Sequence, residues 1–121
     1  MNKGDLTNDF FRKEFACKCG CGQDNISVEL VEKLQRARDA TGVPFVIQSG
    51  VRCKKHNASE GGTKDSAHLS GLAADILCPN SHIRYRMITV LIHLFSRIGI
   101  GATFIHVDID PTKPQEVIWL Y

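Results

Sequence analysis

The sequence predicts an α+β domain with a small, mainly antiparallel sheet and two principal helices. Two segments carry apolar residues at helical spacing, and four short segments rich in β-branched or aromatic residues are bounded by glycine or proline. They follow one another as helix, strand, long loop, strand, helix, strand and strand, a mixed order typical of α+β folds. The 121 residues fit one domain, 1–121, and the 43% hydrophobic content suits a single modest core.

The two helices are predicted from their caps and apolar faces. The first begins after Ser27 as its N-cap and ends at Gly42. One face of it is apolar: Val28, Val31, Leu34 and Ala37. In the second helix Ser81 is the predicted N-cap, and the helix is predicted to run to about Ile98, where the glycines at 99 and 101 stop it. Its buried face comprises Ile83, Met87, Val90, Leu91 and Leu94.

Four strands are predicted, at residues 44–49, 72–77, 103–109 and 117–121. The fourth follows two prolines and is the expected hairpin partner of the third. Residues 50–67 form a long polar loop between the first two strands. Because loops of that length are uncommon in a small domain unless they have a role, this segment is predicted to be functional.

Residues 1–26 are polar, glycine-bearing and cysteine-rich, and we interpret them as an irregular cap on the domain. Three of the five cysteines crowd into Cys17-Lys-Cys-Gly-Cys21. Structural zinc sites normally use cysteines separated by two to four residues, so this run is expected to be too strained to aim three thiolates at one ion. We therefore predict free thiols and no second metal, while a pairing of the cap with Cys53 or Cys78 stays open.

Charge and hydropathy narrow the classes of partner. The net charge of +2 is too small to indicate a nucleic-acid or membrane surface. The first residues contain no apolar core of a signal peptide, and no stretch is long and apolar enough for a transmembrane helix. We expect a monomer that is made in the cytoplasm without a signal peptide, with neither nucleic acid nor membrane as partner.

Three residues form a candidate metal site: His68, Asp75 and His106. Asp75 stands in an otherwise apolar strand, where a lone carboxylate would be costly unless it met a cation or hydrogen-bond donors. Alternation places His106 and Asp108 on one face of the 103–109 strand. Catalytic zinc uses three such ligands and keeps a fourth position open for water. These three residues do not form a local motif with a diagnostic spacing. Judged without further information, they could equally be ordinary polar residues that face solvent.

Three motifs resemble the zinc D-Ala-D-Ala peptidase family, which shares its fold with the Hedgehog signalling domain. They are Ser49-Gly-Val-Arg52, the complete Ser-x-His-x-x-Gly-x-Ala-x-Asp pattern from Ser66 to Asp75, and His106-Val-Asp108. The resemblance covers roughly residues 11–110 and includes the cysteine-rich segment seen in compact, often phage-encoded members. It implies a Zn²⁺-dependent metallopeptidase that cleaves peptidoglycan stem peptides or cross-links, as a D,D-carboxypeptidase or a wall-lysing endopeptidase. Such a protein would act at the bacterial cell wall once released.

The resemblance also implies roles for residues. It maps His68, Asp75 and His106 onto the metal ligands and Arg52 onto the arginine that engages the reacting amide or the substrate carboxylate. Ser66 is expected either to bind substrate backbone or to shape its loop. We also count His56, in the same loop, among the candidate substrate-binding residues.

The proton shuttle departs from the family pattern. Several branches place an acidic residue three positions before the last metal histidine, and this chain has Thr103 there. Asp108 is the predicted substitute. Alternatively Asp108 orients a ligand histidine through its other ring nitrogen, and the shuttle is then His56, Asp110 or metal hydroxide with solvent.

The missing acid keeps a second class of function open. A module that retained the fold and the metal but lost turnover would bind the cell wall without cleaving it. A metal-free structural protein is disfavoured, because it would leave Asp75 buried without a partner.

Overall fold

The computed structural model describes residues 4–121, so the first three residues of the predicted cap lie outside the described residues. The helices are α1 (Val28–Thr41), α2 (Lys54–Ser59) and α3 (Ser81–Leu94). The strands are β1 (Ile47–Ser49), β2 (Ala73–Leu77), β3 (Arg97–Ile100), β4 (Phe104–Asp108) and β5 (Val117–Leu120). Within residues 4–121 the order is α1, β1, α2, β2, α3, β3, β4 and β5. Single 3₁₀ turns occur at Arg12–Phe15 and Ala67–Ser70.

Helix α1 forms as its caps predict. The Ser27 side chain accepts a hydrogen bond from the Leu30 amide, and the chain leaves the helix at Gly42. Its buried side chains pack against α3, which contributes Met87 and Leu91. Each fully buried side chain of this size stabilises the fold by roughly 1.5–3 kcal/mol. The apolar spacing correctly placed Val31, Leu34 and Ala37 on the face that holds α1 in place, whereas Val28 is exposed and Leu30 is buried instead.

Helix α3 differs from its prediction at both ends. Its N-cap is Asn80, whose side chain accepts from the Ile83 amide, rather than Ser81. The helix ends at Leu94 instead of reaching residue 98, because Phe95 is extended and residues 97–100 form β3. The glycine at 99 is thus a strand residue and not a helix stop. A side chain there would collide with Trp119 and Tyr121.

The sheet has the order β1-β2-β4-β3-β5 and is mixed rather than mainly antiparallel. Neighbouring strands are antiparallel except at one edge, where β5 runs parallel to β3. The prediction of a β4–β5 hairpin was therefore wrong. Both edges of β4 are already occupied by β2 and β3, so the last strand has to pair elsewhere.

The loop between β1 and β2 contains more structure than its polarity predicts. Helix α2 spans Lys54–Ser59, and the Ala67–Ser70 turn delivers the chain into β2. Helix α2 has only six residues and one buried side chain, Asn57, so it leaves no apolar period to detect.

The two faces of the sheet are chemically distinct. Ala74 and Ile76 of β2, with Ile105 and Val107 of β4, join the core shared with the helices. Asp75, His106 and Asp108 occupy the opposite face, as strand alternation requires. None of the helices within residues 4–121 has both the length and the apolar content needed to cross a bilayer.

Candidate metal centre

Strand register brings the predicted ligands together. Asp75 of β2 lies directly opposite His106 of β4, and Asp75 Oδ1 is 2.8 Å from His106 Nδ1. His68 sits in the turn before β2, with Nε2 at 3.3 Å from the same carboxylate oxygen. All three residues are buried, and one ligand atom from each lies within 4.8 Å of the other two. The three side chains therefore share one small volume on the polar face.

Each histidine is held at its other ring nitrogen by an acceptor. His68 Nδ1 is 2.7 Å from the Gly50 carbonyl oxygen, and His106 Nε2 is 2.8 Å from Asp108 Oδ2. A carbonyl oxygen can only accept, so His68 carries its proton on Nδ1. Its Nε2 lone pair then faces Asp75 Oδ1, which is unfavourable unless a cation or an added proton lies between them. His106 faces a carboxylate at each nitrogen, and a neutral imidazole can donate to only one of them.

The residues of this centre therefore fit a metal ion. Two imidazole nitrogens and one carboxylate oxygen are the donor set of catalytic zinc, and the arrangement of lone pairs calls for a positive charge among them. Around zinc at about 2.0–2.2 Å, tetrahedral donors lie about 3.3–3.5 Å apart. The separation of 3.3 Å between His68 Nε2 and Asp75 Oδ1 is close to that spacing.

The charges of the site are strongly coupled. Burial would raise the pKa of Asp75, but the neighbouring imidazoles of His106 and His68 hold that pKa well below its usual value. Burial would likewise raise the pKa of Asp108, which His106 and Arg97 lower. Burial would lower the pKa of His106, whereas Asp108 and Asp75 raise it. Both carboxylates are therefore ionised at neutral pH.

Two arginines flank the carboxylates. Arg52 Nη2 is 3.2 Å from Asp75 Oδ2, and the Arg52 side chain is also fixed by hydrogen bonds to Ser49 Oγ and Asn57 Oδ1. Arg97 Nε donates to Asp108 Oδ1 at 2.7 Å. Sequence reasoning missed Arg97 because β3 was assigned to a helix, although an arginine within the apolar run Arg-Ile-Gly-Ile was the signal available.

A cavity of about 700 Å³ opens onto the centre. It is lined by all three candidate ligands and by Arg52, Ser66, Asp108, Arg97, Glu60, Lys113, Phe104, Trp119 and Tyr121, among others. Glu60, Lys113, Trp119 and Tyr121 were not among the sequence-predicted site residues. No sequence motif marks these residues, because distant segments of the chain come together to form this cavity wall.

The remaining predicted residues differ in their placement. Ser66 lines the cavity, but its hydroxyl also accepts from the His68 amide and so shapes the turn. His56 lies on α2, where its Nε2 is 3.6 Å from Glu60 Oε1, and is not among the described residues that line the cavity. Asp110 is bound by Thr112 and Lys113 and is likewise outside that set.

The chain folds as a small α+β domain, and its candidate metal centre has the donor set that catalytic zinc uses. The sequence model of the family described as peptidase M15 matches residues 8–109, and the chain belongs to that family. This confirms the resemblance to the zinc D-Ala-D-Ala peptidases. The family implies a metallopeptidase and is in general zinc-dependent. No curated protein matches the chain significantly.

Proposed function

We propose that this protein is a zinc peptidase that hydrolyses peptide bonds in the stem peptides or cross-links of bacterial peptidoglycan. The observation that carries the proposal is the direction of the two histidines. Each is held at one nitrogen by a fixed acceptor and presents the other nitrogen to Asp75. The ligand atoms would be His68 Nε2, His106 Nδ1 and Asp75 Oδ1.

When bound, zinc would act as a Lewis acid that polarises the scissile carbonyl and lowers the pKa of a water molecule. Arg52 would stabilise the negative charge that develops on the carbonyl oxygen or bind a substrate carboxylate. Its contacts with Ser49, Asn57 and Asp75 keep the guanidinium in place before substrate arrives. A donor that needs no reorganisation stabilises a transition state most effectively.

Asp108 is better suited to positioning His106 than to moving protons. Its Oδ2 faces His106 Nε2 at 2.8 Å, while its Oδ1 accepts from Arg97 Nε and from the Asp110 amide. A shuttle must exchange protons with substrate, and both oxygens of this carboxylate are occupied. We therefore favour the orienting role over the predicted shuttle. Solvent or Glu60, the exposed carboxylate on the cavity wall, would then transfer the protons.

The cavity wall supports a peptide as substrate. Lys113 and Arg52 offer positive charge to a peptide carboxylate, and Trp119 with Tyr121 offers apolar surface to its side chains. The same wall suits a terminal carboxylate, which a D,D-carboxypeptidase needs, and a longer chain, which an endopeptidase needs. In this proposal the partner is a peptidoglycan peptide, and the protein acts as a monomer at the cell wall.

A muropeptide digest tests the function. Zinc-loaded protein is incubated with purified muropeptides and the products are identified by mass spectrometry, beside a His68→Ala variant and a His93→Ala variant. His93 is exposed on α3 and is not among the described residues that line the cavity, so it is the matched control. We expect cleavage by the wild type and by the control, and none by His68→Ala. Unchanged muropeptides with a fully zinc-loaded wild type would contradict the peptidase.

One observation supports a second candidate, a zinc-containing wall-binding module with weak turnover. No carboxylate stands three residues before His106, since Thr103 is there, and Asp108 is engaged by Arg97. In the digest this candidate predicts intact muropeptides together with sedimentation of the protein on purified cell walls.

A further inference from the structure

We infer that Cys17, Cys19, Cys21 and Cys53 form a second metal site, a structural site for a thiolate-binding ion such as Zn²⁺. The Sγ atoms of the four residues all lie within 4.8 Å of one another. Cys17 Sγ is 3.4 Å from Cys19 Sγ, and Cys19 Sγ is 3.6 Å from Cys53 Sγ. We call this group the cysteine cluster. It is separate from the His68 centre and shares no residue with it.

The dimensions of the cysteine cluster match a zinc–thiolate tetrahedron. With zinc–sulfur bonds of about 2.3 Å, the edges of the tetrahedron are about 3.8 Å. Two of the six edges, at 3.4 and 3.6 Å, are within a few tenths of that length, and the other four are at most 4.8 Å. A disulfide has an S–S distance of about 2.05 Å, and all four cysteines are free thiols. The geometry is that of four ligands around a common centre.

A chain reversal explains how closely spaced cysteines converge. The amide of Cys17 donates to the Gln23 carbonyl at 2.7 Å, and the amide of Gly20 donates to the Cys17 carbonyl at 3.2 Å. Gly20 and Gly22 have φ values of 83° and 90°, which other residues rarely adopt. The expectation that Cys-x-Cys-x-Cys spacing prevents convergence was therefore wrong, because it assumed a chain without these left-handed positions.

Two backbone amides donate to sulfur atoms of the cysteine cluster. The Cys53 amide donates to Cys17 Sγ at 3.4 Å, and the His56 amide donates to Cys53 Sγ at 3.3 Å. Backbone donors of this kind stabilise a charged sulfur. Four thiolates around Zn²⁺ carry a net charge of −2, and the residues next to the cysteines in the chain include Lys18, Lys54 and Lys55. The local charge thus complements such a site.

The cysteine cluster would fasten the N-terminal cap to the segment that carries Arg52. Cys53 follows Arg52 directly, and the Val51 amide donates to the Phe15 carbonyl at 2.8 Å. Gly50, in the same segment, supplies the carbonyl that fixes His68 Nδ1. A metal at the cluster would hold residues 50–53 against the cap. This effect on the active centre rests on the proposed function, whereas metal binding at the cluster does not.

Metal stoichiometry tests the inference. Protein purified under reducing conditions is loaded with zinc, dialysed and analysed for metal and sulfur by plasma emission spectrometry. We expect two zinc ions per chain in the wild type. In Cys19→Ser and in Cys21→Ser we expect one zinc ion per chain. Both of these cysteines are exposed, so the serine variants lose no core packing. Cys78→Ala is the control and should keep both ions, since Cys78 lies outside the cluster.

A second measurement identifies the ligands. In His68→Ala the remaining ion should show only sulfur neighbours at about 2.3 Å by X-ray absorption. Cobalt substitution should give an intense thiolate-to-metal charge-transfer band that Cys19→Ser removes. Unchanged metal content in Cys19→Ser and Cys21→Ser would overturn the inference. So would a remaining ion without sulfur neighbours. Disulfide bonds among these four cysteines, in protein that still binds one zinc ion, would also overturn it. Failure of peptide cleavage would leave these readouts unaffected, so the two proposals fail separately.

Discussion

The replacement Asp108→Asn separates the two roles that Asp108 could have. Asparagine keeps the shape of the side chain but loses the charge that faces His106 Nε2 at 2.8 Å and Arg97 Nε at 2.7 Å. If Asp108 orients His106, the variant holds the imidazole ring of His106 less firmly and makes that imidazole less basic. Loss of such a partner typically reduces metal affinity about 10–100-fold, which is about 1.4–2.7 kcal/mol.

The assay is a zinc titration in competition with a coloured chelator, combined with kcat and KM measured at saturating zinc. We expect zinc affinity to fall about 10–100-fold and kcat at saturating zinc to fall much less. Asp110→Asn is the matched control, because Asp110 binds Lys113 and Thr112 instead of a histidine. A variant with wild-type zinc affinity and a kcat reduced about 100-fold or more would refute the orienting role and restore the proton shuttle.

Three further predictions follow from single contacts. The Arg52→Lys variant should bind zinc normally, but its kcat should fall about 10²–10³-fold because lysine lacks the planar guanidinium with its fixed donors. A normal kcat would show that Arg52 has no role in catalysis. Gly50→Ala should destabilise the fold by roughly 1–3 kcal/mol in urea unfolding, because the new Cβ would lie 2.6 Å from the Phe15 carbonyl oxygen; an unchanged midpoint would refute this packing. Burial would raise the pKa of Asp110, but Lys113 and Thr112 lower it to about 2. Ionised Asp110 therefore stabilises the fold fully above about pH 4, and this contribution is lost as the pH falls through 2. Asp110→Asn should therefore lose less stability than the wild type between those pH values, and parallel curves would contradict the assignment.

The sequence predicted the parts of the fold that depend on local pattern. Ser27 and Gly42 bound α1, and the alternation in β4 correctly separated His106 and Asp108 from the core residues beside them. Pairing partners could not be predicted in the same way. The apolar residues of β5 fit any free sheet edge, and only the occupied edges of β4 direct the strand to β3.

For the candidate site too, the residues in a local motif could be predicted and those from distant segments could not. The motif from Ser66 to Asp75 is contiguous, so a sequence alone can indicate it. Arg97 and Glu60 reach the cavity from segments that are distant in the chain. No local pattern marks Glu60, and the charge of Arg97 within an apolar run was assigned to the end of a helix. The cysteine cluster was missed for a different reason: ligand spacing was judged without the chain reversal that its glycines permit.

The contact between Trp119 and His106 gives the protein a built-in optical probe. Trp119 is the single tryptophan of the chain, and its ring centroid lies 5.4 Å from that of His106. Tryptophan emission responds to the charge of a neighbouring imidazole, so filling the centre or protonating His106 should change the fluorescence of the unlabelled protein. Occupancy of the His68 centre can therefore be followed in real time, without substrate, dye or label.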